Sequence, residues 1–492
     1  MTPRSLLVAV ACVYALLSSS SALAVYVSDS GSGEALIYPY YTVRDTEGNA
    51  FNTYVSIANG DTAAKALRVR FREGRNGREV ASFNLFLAPR AIWAGAIVPS
   101  GAGARLISPD PACVSPALAD SGFGTPGFVE FSATTFSGAN ADTFGQTVDR
   151  VREGYIEVLE MGALTAQAPS CFPQNDTAAC PRGALPACQD LRAERVPAWL
   201  APRGYLYGTT TLINVNSGLA FTADAEALAN LATAPYYRPP SDPYPDFDAA
   251  EIGNVASFVR NDKLYRIAMP TGLGAVEAAM VRAWIDNEVV LDAATLSATD
   301  WVVTMPTRRF YRSGRASPWF NASDLLGPDP RLTGQYTSRS GVVVPLRWFD
   351  CGFPECPGPG PIDIRAQWAA TVFGFRASPI QGPSGAASTT NALGSRNGWM
   401  VDLAGAPAAG GALHLQFNVI PDRELAAVTT RLGDGAVATE QIRLMGLPVV
   451  GFMARTFRNG TLQCGAVICQ GNYGGFAPHR FRRVVDPSSA DP

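Results

Sequence analysis

The chain has 492 residues and a formal net charge of −3, with 47% of its residues hydrophobic and 16% charged. This length is enough for two or three domains with substantial cores. The small net charge gives no electrostatic reason to expect nucleic acid or an anionic membrane as the partner. The 47 glycines and 37 prolines indicate short strands and many loops rather than long helices.

The first segment, residues 1–24, is typical of a secretory signal. Arg4 supplies the positive start, residues 6–17 are an unbroken apolar run, and small residues surround Leu23 as signal peptidase prefers. The run is shorter than the roughly 20 residues that a membrane span needs, and no other apolar segment approaches that length. We therefore expect an exported protein, in the periplasm, on the outer surface or outside the cell, with no transmembrane span once the signal is removed.

Next along the chain, the clearest strand pattern lies between residues 52 and 98. Apolar residues alternate with Arg68, Arg70 and Arg72, which places the apolar side chains on one face of a strand and the guanidinium groups on the other. Residues 74–77 suit a tight turn, and an apolar return strand follows. We expect the arginine face to be solvated, where it protects the sheet from edge-to-edge aggregation. The alternative is that it binds an anionic glycan or a cell-surface polyanion.

About seven short strands are predicted between residues 25 and 165, a number and spacing that match an immunoglobulin-like β-sandwich. The order of an asparagine-containing turn, an alternating strand, a hairpin and Leu-x-Pro resembles the small Ig-like modules of bacterial surface proteins. Residues 166–200 carry three cysteines and five prolines, and we predict an irregular, disulfide-tied linker there.

Eight cysteines follow the signal, and an even count in an exported chain predicts disulfide bonds. Two pairs each enclose four residues and are predicted to close small loops: Cys351 with Cys356, and Cys464 with Cys469. The remaining four can pair in three ways, and they are Cys113, Cys171, Cys180 and Cys188. Zinc is the competing interpretation, but the spacing contains no CxxC and the chain has only two histidines. We therefore predict no metal at the cysteines.

Residues 236–251 form a proline-broken loop whose acids and aromatics are the most suggestive local cluster. They could supply hard oxygen ligands for calcium, or aromatic rings that stack on sugars beside carboxylates that bind or hydrolyse them. The competing interpretation is a loop whose aromatics pack on the core and whose acids face water. The candidate calcium or glycan residues are Asp242, Asp246, Asp248, Glu251, Tyr237 and Tyr244.

Residues 201–492 are predicted to form a second β-rich region, which is either one domain or two. Short helices are expected after Thr222 and over residues 275–283, among strands that recur to the end of the chain. Three segments, Thr299–Tyr311, Gln441–Phe457 and Gly471–Arg483, resemble a family of uncharacterised secreted proteobacterial β-rich proteins. The resemblance implies no activity.

Motifs for catalysis are missing from the sequence. G-x-S-x-G, H-E-x-x-H and the phosphate loop are all absent, and the chain has two imidazoles, His414 and His479. We expect His414 to face solvent or an adjoining sheet. We expect His479 to be a surface residue or a hydrogen-bonded structural one.

The sequence thus predicts a mostly β protein with two or three sandwich-like domains, short helices and long disulfide-tied loops. The first functional hypothesis is a secreted or cell-surface structural or adhesive protein without catalytic activity, whose partner is a cell-surface glycan or protein. The second is a secreted carbohydrate-binding or carbohydrate-active protein that uses the loop at residues 236–251. No cofactor is expected apart from calcium, which the same loop could bind.

Overall fold

The computed structural model of the protein consists mainly of antiparallel β-sheets. It confirms the predicted mostly β, sandwich-like fold but does not support the predicted long disulfide-tied loops. The structure describes residues 24–46, 49–119, 126–142, 144–164, 188–195, 199–292, 295–311, 318–320, 331–338, 340–345, 364–366, 368–376, 389–403, 410–417, 424–433 and 436–487.

Seventeen strands of the described chain lie before residue 230. They are β1 Tyr26–Val27, β2 Ala35–Thr42, β3 Asp45–Thr46, β4 Asn49–Ala50, β5 Asn52–Asn59, β6 Lys65–Glu73, β7 Glu79–Leu87, β8 Ile92–Ser100, β9 Gly103–Ser108, β10 Cys113–Ser115, β11 Gly127–Phe131, β12 Glu153–Leu164, β13 Trp199–Leu200, β14 Leu206–Tyr207, β15 Thr209–Asn214, β16 Leu219–Asp224 and β17 Glu226–Ala229. The helical turns of this part are the 3₁₀ segments Ala133–Thr135, Gly138–Asn140 and Val148–Arg152 and the short helix α1, Cys188–Arg192.

Two large sheets of this part form a sandwich. The first has the order β1-β17-β2-β12-β6-β7-β10, with β13 beside β12, and the second has the order β11-β9-β8-β5-β15-β16, with β14 beside β5. Leu67, Val69 and Phe71 of β6 contribute to the core between the two sheets, together with Trp93 and Leu106 of the second sheet. The alternation predicted for β6 is therefore correct, because its apolar residues share one face.

The sandwich extends beyond the linker predicted at residues 166–200. Strands β14 and β15 pair with β5, and β17 pairs with β2. Residues 206–229 thus complete sheets that begin near the N-terminus, although the sequence placed them in the second domain. The helix predicted after Thr222 is wrong, because β16 alternates buried and exposed residues and continues almost directly into β17.

The second part of the chain contains eighteen described strands. They are β18 Val255–Arg260, β19 Lys263–Ala268, β20 Val281–Arg282, β21 Trp284–Val290, β22 Ala298–Thr304, β23 Arg331–Ser338, β24 Val343–Pro345, β25 Ile364–Arg365, β26 Ala370–Arg376, β27 Gly398–Asp402, β28 Gly410–Gln416, β29 Glu424–Gly433, β30 Ala436–Met445, β31 Leu447–Pro448, β32 Val450–Cys464, β33 Val467–Pro478, β34 Arg480–Arg482 and β35 Val484–Pro487. The helix α2, Gly272–Met280, and the 3₁₀ segment Arg308–Tyr311 interrupt them.

These strands form three larger sheets and one small pair. The orders are β18-β19-β29-β30-β35, then β24-β23-β28-β21-β34 with β25 beside β23, then β27-β26-β22-β32-β33, and the pair β20-β31. Helix α2 begins after Thr271, whose hydroxyl accepts a hydrogen bond from the Gly274 amide at 3.1 Å. The helix predicted over residues 275–283 is therefore present, three residues nearer the N-terminus.

The first sheet is covered on both faces. Every residue of β2, β6 and β12 is buried. Leu36 and Val158 face the sandwich core, whereas Ile37 and Leu159 belong to the large core of the second part of the chain. The sheet is thus the middle layer of the molecule, not the outer layer of a two-layer sandwich.

One disulfide joins described residues, and it selects one of the open pairings. Cys113 at the start of β10 bonds to Cys188 at the start of α1, with their Cα atoms 5.5 Å apart. Cys171, Cys180, Cys351 and Cys356 lie outside the described residues, as does most of the predicted linker. Cys464 and Cys469 lie on neighbouring strands, β32 and β33, and the bond between them stays a prediction.

The predicted signal also falls outside the described residues, except for Ala24. Within the described chain, no helix combines the length and the apolar character needed to cross a membrane.

Candidate functional site

The arginine face of β6 is buried, so the prediction that it is solvated is wrong. Arg68 and Arg70 are each 1% exposed and Arg72 is 5% exposed. The proline-broken loop at residues 236–251, which the sequence presented as a separate candidate, covers them. Backbone carbonyl groups of the loop accept hydrogen bonds from Arg68 and Arg70, and the Asp246 carboxylate contacts Arg72.

Arg68 binds the first half of this loop. Its Nη1 donates to the carbonyl oxygen of Asp242 at 2.9 Å, and its Nη2 donates to those of Pro239 at 2.7 Å and Arg238 at 3.3 Å. Its Nε donates to Asn84 Oδ1 at 2.7 Å. One buried side chain thereby satisfies three carbonyl groups of a segment that cannot pair as a strand.

Arg70 continues the same arrangement. Its guanidinium donates to the carbonyl oxygens of Pro243 and Pro245, and its Nε lies 3.0 Å from Glu79 Oε2. A proline has no N–H and interrupts sheet pairing, so the carbonyls of a proline-rich segment need donors from elsewhere. Arginine offers five N–H donors in a planar fork, which explains why two arginines can hold five loop carbonyls.

Arg72 binds a side chain of the loop instead of its backbone. Its Nη2 lies 3.2 Å from Asp246 Oδ2, its Nε contacts Glu157, and Arg309 contacts both of these carboxylates. Burial by itself would raise the pKa of Asp246, but Arg309, Arg72 and Arg70 together hold it well below its usual range. Asp246 is therefore an ionised member of a buried charge cluster.

The four acids that were predicted to form one site therefore make different contacts. Asp246 is committed to the arginines, and Asp242 Oδ1 accepts a hydrogen bond from the Tyr244 amide at 2.9 Å, within its own turn. No group of three or more potential metal-ligating side chains converges among the described residues. Three guanidinium groups next to Asp246 would also oppose a cation there.

The other two acids, Asp248 and Glu251, line a cleft of about 300 Å³ that residues of this loop form. Arg238 and Tyr244 line it too, and Tyr244 is 48% exposed. Arg238 Nη2 lies 3.0 Å from Glu251 Oε1, which orients both side chains at the wall of the cleft. The remaining candidate, Tyr237, is elsewhere: its ring stacks on Trp199 with centroids 5.2 Å apart.

Tyr236 also contributes to the lining of this cleft and is otherwise packed in the large core. Its side chain is 1% exposed, and its hydroxyl has no hydrogen-bond partner in the described structure. Burial raises the pKa of Tyr236 well above its usual value, so the hydroxyl keeps its proton and can donate. The cleft thus combines an exposed ring, two carboxylates and a guanidinium.

A second cleft, of about 1140 Å³, is lined by both histidines of the chain. His414 on β28 lies opposite Asp286 on β21, and its Nδ1 contacts that carboxylate. The Trp284 ring lies 3.9 Å from the imidazole, measured between centroids. Trp284 and Asp286 were not among the residues predicted from the sequence, although their alternation with Ile285 indicates a strand with one polar face.

His479 is a structural residue. Its Nε2 lies 3.0 Å from the Val302 carbonyl oxygen and its Nδ1 lies 3.2 Å from Asn287 Nδ2. The carbonyl can only accept and the amide nitrogen can only donate, so the ring is neutral with its proton on Nε2. Burial lowers the pKa of His479 to about 3. Among the hydrogen bonds of the described residues, none joins a serine, threonine or cysteine side chain to either histidine.

Comparisons with known proteins returned no relative: no protein-family model, curated protein or solved structure matches this chain. The resemblance to secreted proteobacterial proteins therefore stays a prediction, and proposals about function depend on the geometry of the clefts.

Proposed function

We propose that the protein is an exported, non-enzymatic binding protein that holds a carbohydrate in the cleft of the loop at residues 236–251. The observation that carries this proposal is the meeting of exposed Tyr244 with Asp248, Glu251 and Arg238 around one cleft. An exposed aromatic ring can stack on the apolar face of a sugar. Carboxylate and guanidinium groups beside it are suited to hydrogen-bond sugar hydroxyls.

The buried arginines support this proposal through rigidity. Arg68 and Arg70 hold five carbonyl groups of residues 238–245, so the segment that carries Tyr244 is fixed before any ligand arrives. A prearranged loop loses little conformational entropy on binding, which favours affinity for a weakly apolar ligand such as a sugar.

The same contacts favour binding over hydrolysis. Glycoside hydrolysis uses two carboxyl groups on either side of the scissile bond, one of which donates a proton. In this loop Asp246 is buried among arginines, Asp242 binds its own turn, and Glu251 pairs with Arg238. These commitments support an adhesive role rather than a catalytic one.

Affinity electrophoresis through gels containing dextran, xylan, mannan or alginate tests the proposal. We expect at least one polysaccharide to retard the protein, and Tyr244→Ala to weaken the interaction at least about tenfold, which corresponds to roughly 1.4 kcal/mol. Tyr54→Ala is the matched control, because Tyr54 is 45% exposed but lies on β5, outside the cleft. Absence of retardation by all four polysaccharides, or equal loss in both variants, would contradict the proposal.

A further inference from the structure

A third cavity, of about 560 Å³, has a strongly basic lining. It lies between the N-terminal strand β1, the hairpin β18–β19 and the segment around residue 482. The charged residues of its described lining are four arginines and one carboxylate, namely Arg260, Arg266, Arg282, Arg483 and Asp29. Arginines therefore outnumber carboxylates in this lining, although the chain as a whole has a net charge of −3.

Two of these guanidinium groups converge at the end of helix α2. Arg282 Nη1 donates to the Ala279 carbonyl oxygen at 3.3 Å, and Arg483 Nη2 donates to the same oxygen. Arg483 Nη1 also donates to the Ala278 carbonyl oxygen at 3.3 Å. The negative end of the helix dipole thus holds two cations close together.

Two acids, Glu226 and Asp29, offset the charge of this pair in part. Glu226 Oε1 lies 3.3 Å from Arg282 Nη2. Arg282 is 7% exposed, and its Nε has no hydrogen-bond partner in the described structure. Burial lowers the pKa of Arg483, and the charge of Arg282 lowers it further. Two cations that repel each other in a buried site are stabilised when an anion joins them.

Aromatic rings fix the planes of both guanidinium groups. Arg483 lies 4.6 Å from the centroid of the Phe258 ring, and Arg282 lies 5.0 Å from that of Phe481. Such contacts stabilise a cation and limit its rotation. Phe258, Phe481 and the partly exposed Tyr26 also give the cavity apolar walls.

We propose that this cavity binds an organic anion that carries a tetrahedral oxyanion, a phosphate or sulfate ester, on a body of about the size of one sugar ring. Arginine forks match the oxygens of such groups with paired hydrogen bonds. A volume of about 560 Å³ exceeds what a lone oxyanion fills and lies within the range of small-molecule sites. The aromatic walls of the cavity can stack on the ring of such a ligand. This site is separate from the loop cleft, and the two proposals can fail independently.

Isothermal titration calorimetry of the full chain at low salt tests this inference with glucose 6-phosphate, glucose 6-sulfate, glucose and inorganic phosphate. We expect saturable binding of at least one ester, tighter than that of inorganic phosphate, with no binding of glucose. The preferred ester shows which oxyanion the site takes. Binding should weaken as salt is raised, because screening acts on charge pairs that solvent reaches.

Arg260→Gln is the main variant, because this partly exposed residue ends an outer strand and its replacement leaves the buried pair intact. We expect about a tenfold loss of ester affinity, or roughly 1.4 kcal/mol. The matched control is Arg195→Gln, since Arg195 follows α1 and lies outside the cavity lining. A second measurement is the thermal midpoint of the wild type, which the bound ester should raise. Absence of ester binding, glucose binding as tight as the esters, or an equal effect of both variants would overturn the inference.

Discussion

At the scale of single residues, the buried arginines of β6 serve as hydrogen-bond donors to a segment that has no strand partner. Arg68 and Arg70 donate to loop carbonyls, and Arg72 donates to Asp246 and Glu157. Each charge is therefore paired or hydrogen-bonded, as burial requires. The outcome is a polar interface inside the protein, where a loop rich in proline is attached to a strand.

Replacing Arg72 by methionine should destabilise the protein by about 3–5 kcal/mol, because Asp246 and Glu157 would stay buried with one cation fewer. Urea unfolding followed by circular dichroism measures the change. Arg195→Met is the control: this side chain is 67% exposed and its ion pair with Asp190 should be worth about 0–1 kcal/mol. Equal losses in the two variants would contradict the structural role of Arg72.

A solvated arginine face would also tolerate serine at residues 68, 70 and 72, whereas we expect that triple variant not to fold.

His479 makes a pH-dependent contribution to stability. Its pKa in the folded protein is about 3, below the usual 6.5, so the folded state binds the proton more weakly than the unfolded state does. The contribution is fully present above pH 6.5 and is lost as the pH falls toward about 3. His479→Gln keeps a donor for the Val302 carbonyl and does not titrate. We expect the free-energy difference between wild type and variant to shift by up to about 3 kcal/mol against the wild type between about pH 7.5 and pH 4.5. An unchanged difference in urea unfolding would show that His479 can be protonated in the folded protein.

At the scale of elements, the central strands β2, β6 and β12 are buried on both faces. The alternation of apolar and polar residues along an antiparallel strand does not show that its polar face is exposed to solvent. Another layer of the protein can bury that face too. β6 illustrates the point: its alternation correctly indicated two faces, but the buried loop contacts of Arg68 and Arg70 were invisible in a local pattern.

The disulfide between Cys113 and Cys188 ties α1 to strand β10 and spans 75 residues of sequence. Replacing both cysteines by serine should lower the free energy of unfolding by about 2–4 kcal/mol, since the unfolded chain would regain conformational entropy. Urea unfolding of the double variant measures the loss. Alkylation of Cys113 in the unreduced wild type would contradict the bond.

At the scale of the whole molecule, a shared core joins the two parts of the chain. Tyr40 and Phe221 from the first part pack with Val302 and Phe452 from the second. Large apolar residues in such a core couple the stability of the layers that they connect.

Phe221→Ala should therefore destabilise both parts together, by about 3–5 kcal/mol. Tryptophan fluorescence and far-ultraviolet circular dichroism should report the same shifted urea midpoint. Ile92→Ala is the control, because Ile92 is 60% exposed. A variant in which one part unfolds at the wild-type midpoint while the other shifts would refute the coupling.

Local patterns in the sequence determined the mostly β composition of the molecule, the alternation of apolar residues with arginines along β6, the presence of helix α2 and the irregular, proline-broken backbone of residues 236–251. These features depend on the spacing of side chains along one segment. Only the tertiary structure decided that this loop covers the arginine face, which buries Arg68, Arg70 and Arg72 and leaves Tyr244 of the loop exposed. It also decided that Asp286 meets His414 and that Arg282 meets Arg483 on one carbonyl oxygen. Residues far apart in sequence meet only through the packing of layers, and no local pattern encodes which layer covers a given face.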